Sequence, residues 1–157
     1  MGKTSVRLDY DELVKLKEQI MLFGDPTQMD HFLTSCAKEL AARLLAKVIK
    51  RTPVGQYPVE TGKKGGTLRR GWTGGQSSNA KAYATSLTVN KTGTDYVIEI
   101  INPVEYASYV EFGHRTRNHK GWVEGKFMLT ISEDEIRNSA PRILEKKLKD
   151  YLKGCFK

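Results

Sequence analysis

Three side chains in one short stretch, Glu111, His114 and His119, are the best candidates for chemistry, because a carboxylate and two imidazoles can hold a divalent metal or exchange protons. Their setting argues against it. Glu111 falls at the end of a predicted helix, and the histidines occupy a segment with Arg115, Arg117 and Lys120, whose charge opposes a cation. No zinc-motif spacing is matched. Gly62, Gly65, Gly66 and Thr67 resemble a phosphate-binding loop only superficially, since the GxxxxGK[ST] order and a preceding apolar strand are both missing. Cys36 and Cys155 lie in predicted helices without a CxxC or histidine partner and are expected to be ordinary thiols. His31 beside Asp30 has no third ligand at sensible spacing, and no nucleophile elbow or Cys-His pairing occurs. The residues therefore point to a protein without catalytic activity, with no cofactor and no metal.

The bulk properties say what kind of body carries these residues. A chain of 157 residues, 39% hydrophobic and 28% charged, is expected to form a single domain over 1–157 around one core. No apolar run reaches the roughly 18 to 20 residues that span a bilayer, and the first residues do not resemble a secretion signal, so a cytoplasmic origin and no membrane partner are expected. The net charge of +8 favours attraction to polyanions. A nucleic-acid-binding role recruited by charge is thus an alternative, although no helix-turn-helix, zinc finger or RNA-recognition signature accompanies it.

Element by element, Asp9 and Glu12 form a capping pair ahead of Leu13, Leu16, Ile20 and Phe23, which predicts a short helix stopped by Gly24. Asp25 and Pro26 then open a long helix with Met29, Leu33, Cys36, Leu40, Leu44 and Val48 on one stripe, ended near Arg51 by Pro53. Lys38, Arg43, Lys47 and Lys50 lie off that stripe and are expected to form a solvated face, with a basic face toward a partner as the alternative. Residues 54–81, with seven glycines, basic pairs Lys63-Lys64 and Arg69-Arg70, and Trp72 as the large anchor, predict a flexible loop or arm that packs no core and orders on assembly.

Alternation at Tyr83, Thr85, Leu87 and Val89, followed by Tyr96 to Ile101, predicts an antiparallel hairpin turning through Gly93. Two strands are marginal alone, so further pairing is expected from the Leu68–Trp72 region or a neighbouring subunit. Asn102 and Pro103 are expected to start a short aromatic helix that closes at Gly113. Ile136, Ile143, Leu144, Leu148, Tyr151 and Leu152 predict a C-terminal helix bent or restarted at Ser139 and Pro141. The sum is an α+β fold: a small antiparallel sheet packed against a long N-terminal helix pair and a C-terminal helix, with a long Gly-rich basic loop.

Surface aromatics are the chief candidates for function. Trp72, Tyr106, Tyr109, Val110, Glu111, Phe112, Trp122 and Phe127 are assigned to a subunit or partner interface, and Lys63, Lys64, Arg69, Arg70, Arg115 and Arg117 to contact with DNA or an acidic partner.

Three blocks in order resemble the tail-completion or head-tail joining (neck) family of long-tailed double-stranded DNA bacteriophages. Arg51-Thr52-Pro53-Val54, Thr61-Gly62, Thr67-Leu68-Arg69 and Trp72 are similar to its RTPVxTGxLRxxW pattern, lengthened here by Gly55–Glu60 and Lys63–Gly66. Asn102, Tyr106-Ala107, Val110-Glu111 and Gly113 are similar to its NxxxYAxyvEfG signature, and Gly125-Lys126-Phe127-Met128-Leu129 forms the third block. The resemblance implies a non-enzymatic virion subunit, built as a homohexameric ring around the DNA channel. Its neighbours would be a tail terminator or tail tube and the head-neck connector. A tail terminator capping the tail tube is the alternative within the same class.

Overall fold

The computed structural model describes residues 4–7, 25–75 and 79–155, so the helix expected over Leu13 to Phe23 lies outside the described residues. Helix α1 spans Pro26–Arg51, with the Asp25 carboxylate accepting from the Thr27 amide at 2.9 Å and Pro26 in the first turn. All six expected stripe residues are buried, and Phe32, Ala37, Ala41 and Leu45 are buried with them. The widened stripe follows from what surrounds the helix. Helix α3 (Ala80–Ser86) packs on one side and helix α5 (Met128–Cys155) on the other.

Residues 54–81 divide into two parts, which corrects the expectation of one coreless arm. Thr67–Gly71 form helix α2, and Leu68 and Trp72 enter the core. Their spacing of four residues puts both side chains on one helical face, so a glycine-rich segment still delivers two large anchors. Residues 53–64 are exposed and form the projecting loop, with a 3-10 turn at Val59–Thr61. A Cβ on Gly65 would lie 1.9 Å from the Gly55 carbonyl oxygen, so the two ends of this loop touch where no larger residue fits.

The strand expected over Tyr83 to Val89 is mostly helix α3 instead. Asn79 caps it by accepting from the amides of Lys81 and Ala82 at 3.0 and 3.2 Å, and Ala80, Ala82 and Ala84 favour a helix over a strand. Lys38 of α1 donates to the Thr85 carbonyl at 2.6 Å, tying the end of α3 down. The hairpin begins later, with β2 (Asn90–Thr92) and β3 (Asp95–Val97) paired antiparallel around Gly93-Thr94. Strand β4 (Glu99–Asn102) pairs antiparallel with β1 (Thr4–Arg7), Val6 opposite Ile100. The additional pairing expected from the Leu68–Trp72 region or a neighbouring subunit is supplied, for β4, by the segment Thr4–Arg7 of the same chain.

Helix α4 (Ala107–Phe112) starts later than expected and closes at Gly113, whose φ of 86° favours glycine. Asn102 does not cap it. Its buried side chain instead donates to the Leu68 carbonyl at 2.9 Å and accepts from the Val104 amide at 3.2 Å, joining β4 to α2. Strands β5 (Gly113–Arg115) and β6 (Trp122–Glu124) form a further antiparallel ladder, and α5 follows. Helix α5 continues through Pro141 rather than restarting there. Ile136, Ala140 and Leu144 are buried on both sides of the proline, and that packing holds the helix together across the lost hydrogen bond. The architecture is α+β, with three two-stranded ladders among the described residues.

Cys36 is completely enclosed, and burial pushes its thiol up to about 12. We expect Cys36 to resist iodoacetamide at pH 8 in the folded protein and to react once urea unfolds it; peptide mass spectrometry showing rapid native labelling at Cys36 would contradict this burial.

Candidate subunit interface

Helix α4 is only six residues long, yet its positions face three ways. Ala107 and Glu111 point into the body. Tyr106 and Val110 line a cleft of about 270 Å³ with Val54 and Tyr57 of the projecting loop. Tyr109 and Phe112 are exposed.

Glu111 is fully buried, and its carboxylate is consumed by one task. Oε2 accepts from the Leu129 amide at 2.9 Å, while Oε1 accepts from the Thr130 amide at 2.9 Å and the Thr130 hydroxyl at 2.8 Å. These amides belong to the first turn of α5, where donors have no partner within the helix and the dipole favours negative charge. Phe127, the residue before the helix, has φ of 46° and no side-chain oxygen to cap with. Glu111 therefore caps α5 from another element. Lys126 and Phe127 donate their amides to the carbonyls of Val110 and Glu111 at 2.7 and 3.0 Å, drawing the chains still closer. A Cβ at Gly125 would lie 2.3 Å from the Glu111 carbonyl oxygen, so glycine is required at that crossing.

On this base stand Tyr109, Phe112 and Trp122, each more than half exposed, with Phe127 beside them. Phe112 and Phe127 meet edge to face at 6.5 Å, and Tyr109 meets His114 at 5.8 Å. Val123 and Ile131 are exposed as well, and Arg115, Arg117, Lys120 and Lys126 are exposed cations near the aromatics in sequence. Exposed aromatic groups with cations near them in the chain match the residue types enriched at protein interfaces, aromatic at the core and polar at the rim.

Not every expected interface residue reaches the surface. Trp72 and Glu111 are wholly enclosed, and Val110 is half-buried in the cleft. Trp72 belongs to a second internal knot: its indole N–H donates to the Thr52 hydroxyl at 2.8 Å, and that hydroxyl donates to the Val48 carbonyl at 2.6 Å. Arg69 donates twice to the Thr52 carbonyl, at 3.2 and 2.8 Å, and Arg70 donates to the Gly65 carbonyl at 3.2 Å. Those two arginines hold the backbone, whereas Lys63, Lys64, Arg115 and Arg117 are exposed. Of the residues that carry the family resemblance, Thr52, Arg69, Trp72, Asn102, Glu111 and Gly125 are internal supports, whereas Pro53, Val54, Thr61, Gly62, Tyr106 and Phe127 are exposed.

The β5–β6 hairpin that presents Trp122 escaped the sequence reading. Its signal was the turn chemistry of Thr116, Asn118 and Gly121: the Thr116 amide donates to the Gly121 carbonyl at 3.0 Å, and the Gly121 amide donates to the Thr116 hydroxyl at 3.0 Å. His114 Nδ1 lies 2.9 Å from the Arg115 carbonyl, His119 is in the exposed turn, and Glu111 faces α5. The three side chains first considered for chemistry therefore have separate surroundings. Among the described residues no cluster of three or more His, Cys, Asp or Glu side chains is placed to hold a metal ion, and no helix is long and apolar enough to cross a membrane.

The described residues form an α+β body that presents exposed aromatic side chains on a hydrogen-bonded support. Residues 15–113 match the model of the HK97-gp10-like family, described as "Bacteriophage HK97-gp10, putative tail-component", and the chain belongs to that family. The match takes in α1, the projecting loop and α4, and stops before the β5–β6 hairpin is complete. No curated protein and no solved structure matches the chain.

Proposed function

We propose that this protein is a structural subunit of the phage neck or upper tail, which forms a ring around the DNA channel and completes the tail for joining to the head. The exposed aromatic surface of Tyr109, Phe112, Trp122 and Phe127 carries this reading, and membership of a tail-component family supports it. A ring needs two different surfaces per subunit that meet head to tail and close by rotation. The aromatic surface is one. The projecting loop, with Val59 at 95% exposure beside Tyr57, supplies the other, since its apolar tip offers side chains that an aromatic patch can bury.

The subunit works without turnover and assembles in the host cytoplasm before residing in the virion. A sixfold ring would be flanked by the tail terminator or tube and by the head-neck connector. The combined substitution Tyr109→Ser, Phe112→Ser and Trp122→Ser is expected to leave the thermal midpoint of the monomer almost unchanged and to weaken self-association at least about a hundredfold, because truncated anchors commonly cost about 2 kcal/mol each. Sedimentation velocity reads this directly. In lysates of a deletion strain, electron microscopy should find full heads and normal-length tails that fail to unite. Overlong tubes would assign the chain to tail termination instead, and virions lacking the protein altogether would end the proposal.

A further inference from the structure

Helices α1 and α5 lie antiparallel. Phe32 stacks on Tyr151 at 4.5 Å near one end, Lys147 reaches Glu39 at 3.8 Å in the middle, and Lys47 reaches Glu135 at 2.6 Å near the other. Along their solvent side runs a furrow formed by two adjoining depressions of about 600 and 470 Å³, which share Arg142. Its walls carry basic residues at helical spacing. Arg43 and Lys47 of α1 and Arg142, Lys146 and Lys147 of α5 line it; Lys50 follows Lys47 by three residues, and Lys149 and Lys153 continue the row of Arg142 and Lys146 at helical spacing. Eleven residues separate Arg142 from Lys153, so the α5 row extends about 16 Å.

The carboxylates here neutralise only part of the row. Glu39 pairs with Arg43 and Lys147, and Glu135 pairs with Lys47 and Arg51, so each acid already serves two cations. Lys47 and then Arg51 hold the Glu135 carboxyl below its ordinary range. Lys149 pairs with Glu145, and Asp150 is the further acid of the furrow wall. Lys50, Arg142, Lys146 and Lys153 are exposed and make no ion pair or hydrogen bond with any described residue. Surplus charge therefore lies along a line.

We propose that this furrow binds the phosphate backbone of duplex DNA. Phosphate charges recur about every 1.7 Å along a duplex axis, so a row of about 16 Å meets several at once. An acidic protein partner fits less well, because a protein contact needs apolar anchors and neither depression is lined by an exposed large hydrophobic residue; Ile131 of α5 lies four residues before Glu135, outside both linings. The furrow also takes precedence over the glycine-rich loop as a DNA contact, since Arg69 and Arg70 are occupied with backbone carbonyls. This inference does not need the ring, and it is tested on the isolated chain.

The probe is a fluorescein-labelled duplex of about two helical turns, about 20 base pairs, titrated by anisotropy across a salt series. The variant Lys50→Ala, Arg142→Ala, Lys146→Ala, Lys153→Ala is expected to lose at least about tenfold in affinity, and its salt slope should fall by about 3 to 4, at about 0.9 per phosphate contact. The variant Lys63→Ala, Lys64→Ala, Arg115→Ala, Arg117→Ala removes the same charge elsewhere and should lose less than about threefold. Thermal melts confirm that both are folded, and Arg142→Glu alone should show the same direction of change. Equal losses in the two quadruple variants, no wild-type binding at about 50 mM salt, or tighter binding of polyglutamate than of the duplex would each overturn the assignment.

Discussion

Glu111→Ala should lower the unfolding free energy by about 3 kcal/mol, because it strips three hydrogen bonds from a fully enclosed site and leaves the Leu129 and Thr130 amides without an acceptor. A domain of this size is stable by about 5 to 15 kcal/mol, so the loss is a large share. Glu111→Gln keeps the volume and one acceptor oxygen, but turns an amide donor toward a backbone donor, and it should cost about 1 to 2 kcal/mol. Urea denaturation followed by circular dichroism separates the two variants. The effect should reach assembly as well, since the cap fixes α4 against α5 and thereby positions Tyr109, Phe112 and Phe127. A loss below about 1 kcal/mol for the alanine variant would mean that water replaces the cap without penalty.

Trp72→Ala should be more damaging still, at about 3 to 5 kcal/mol, because a completely buried indole leaves a cavity between α2 and the end of α1. Trp72→Phe retains most of the apolar volume and loses the bond to Thr52. The Thr52 hydroxyl still donates to the Val48 carbonyl, so this variant should lose only about 1 to 2 kcal/mol. Fluorescence gives an independent check. Trp72 is enclosed and Trp122 exposed, so Trp72→Phe should emit at longer wavelength than the parent protein, and Trp122→Phe at shorter wavelength. A red-shifted Trp122→Phe spectrum would contradict the placement of Trp72 in the core.

Local signals decided which elements could be read in advance. Asp25, Pro26 and Pro53 bracket α1 because caps and prolines act on their own backbone, and the apolar stripe between them needs no distant partner to be recognised. Gly113 ends α4 for the same reason. Tyr83 to Val89 failed because alternation over so few residues suits either a strand or a helical turn, and Asn79 with three alanines tipped the balance. Trp72 misled because it stands among glycines, and composition hides the helical spacing that joins it to Leu68.

The candidate site was half legible. Tyr109, Phe112, Trp122 and Phe127 could be named from residue type and their neighbourhood in the chain, and the cationic excess could be counted. The support beneath them could not, because Glu111 acts 18 residues away on the Leu129 amide and Trp72 acts 20 residues away on Thr52.

By itself the sequence determined the long helices, the absence of any recognisable metal or nucleotide motif, and the resemblance to a tail component, all of which follow from patterns within a few turns of chain. Only the tertiary structure decided which residues are support and which are surface, and whether basic residues on two helices form a single furrow. Burial and pairing depend on what lies opposite in space, and a side chain carries no local mark of the partner that will enclose or neutralise it.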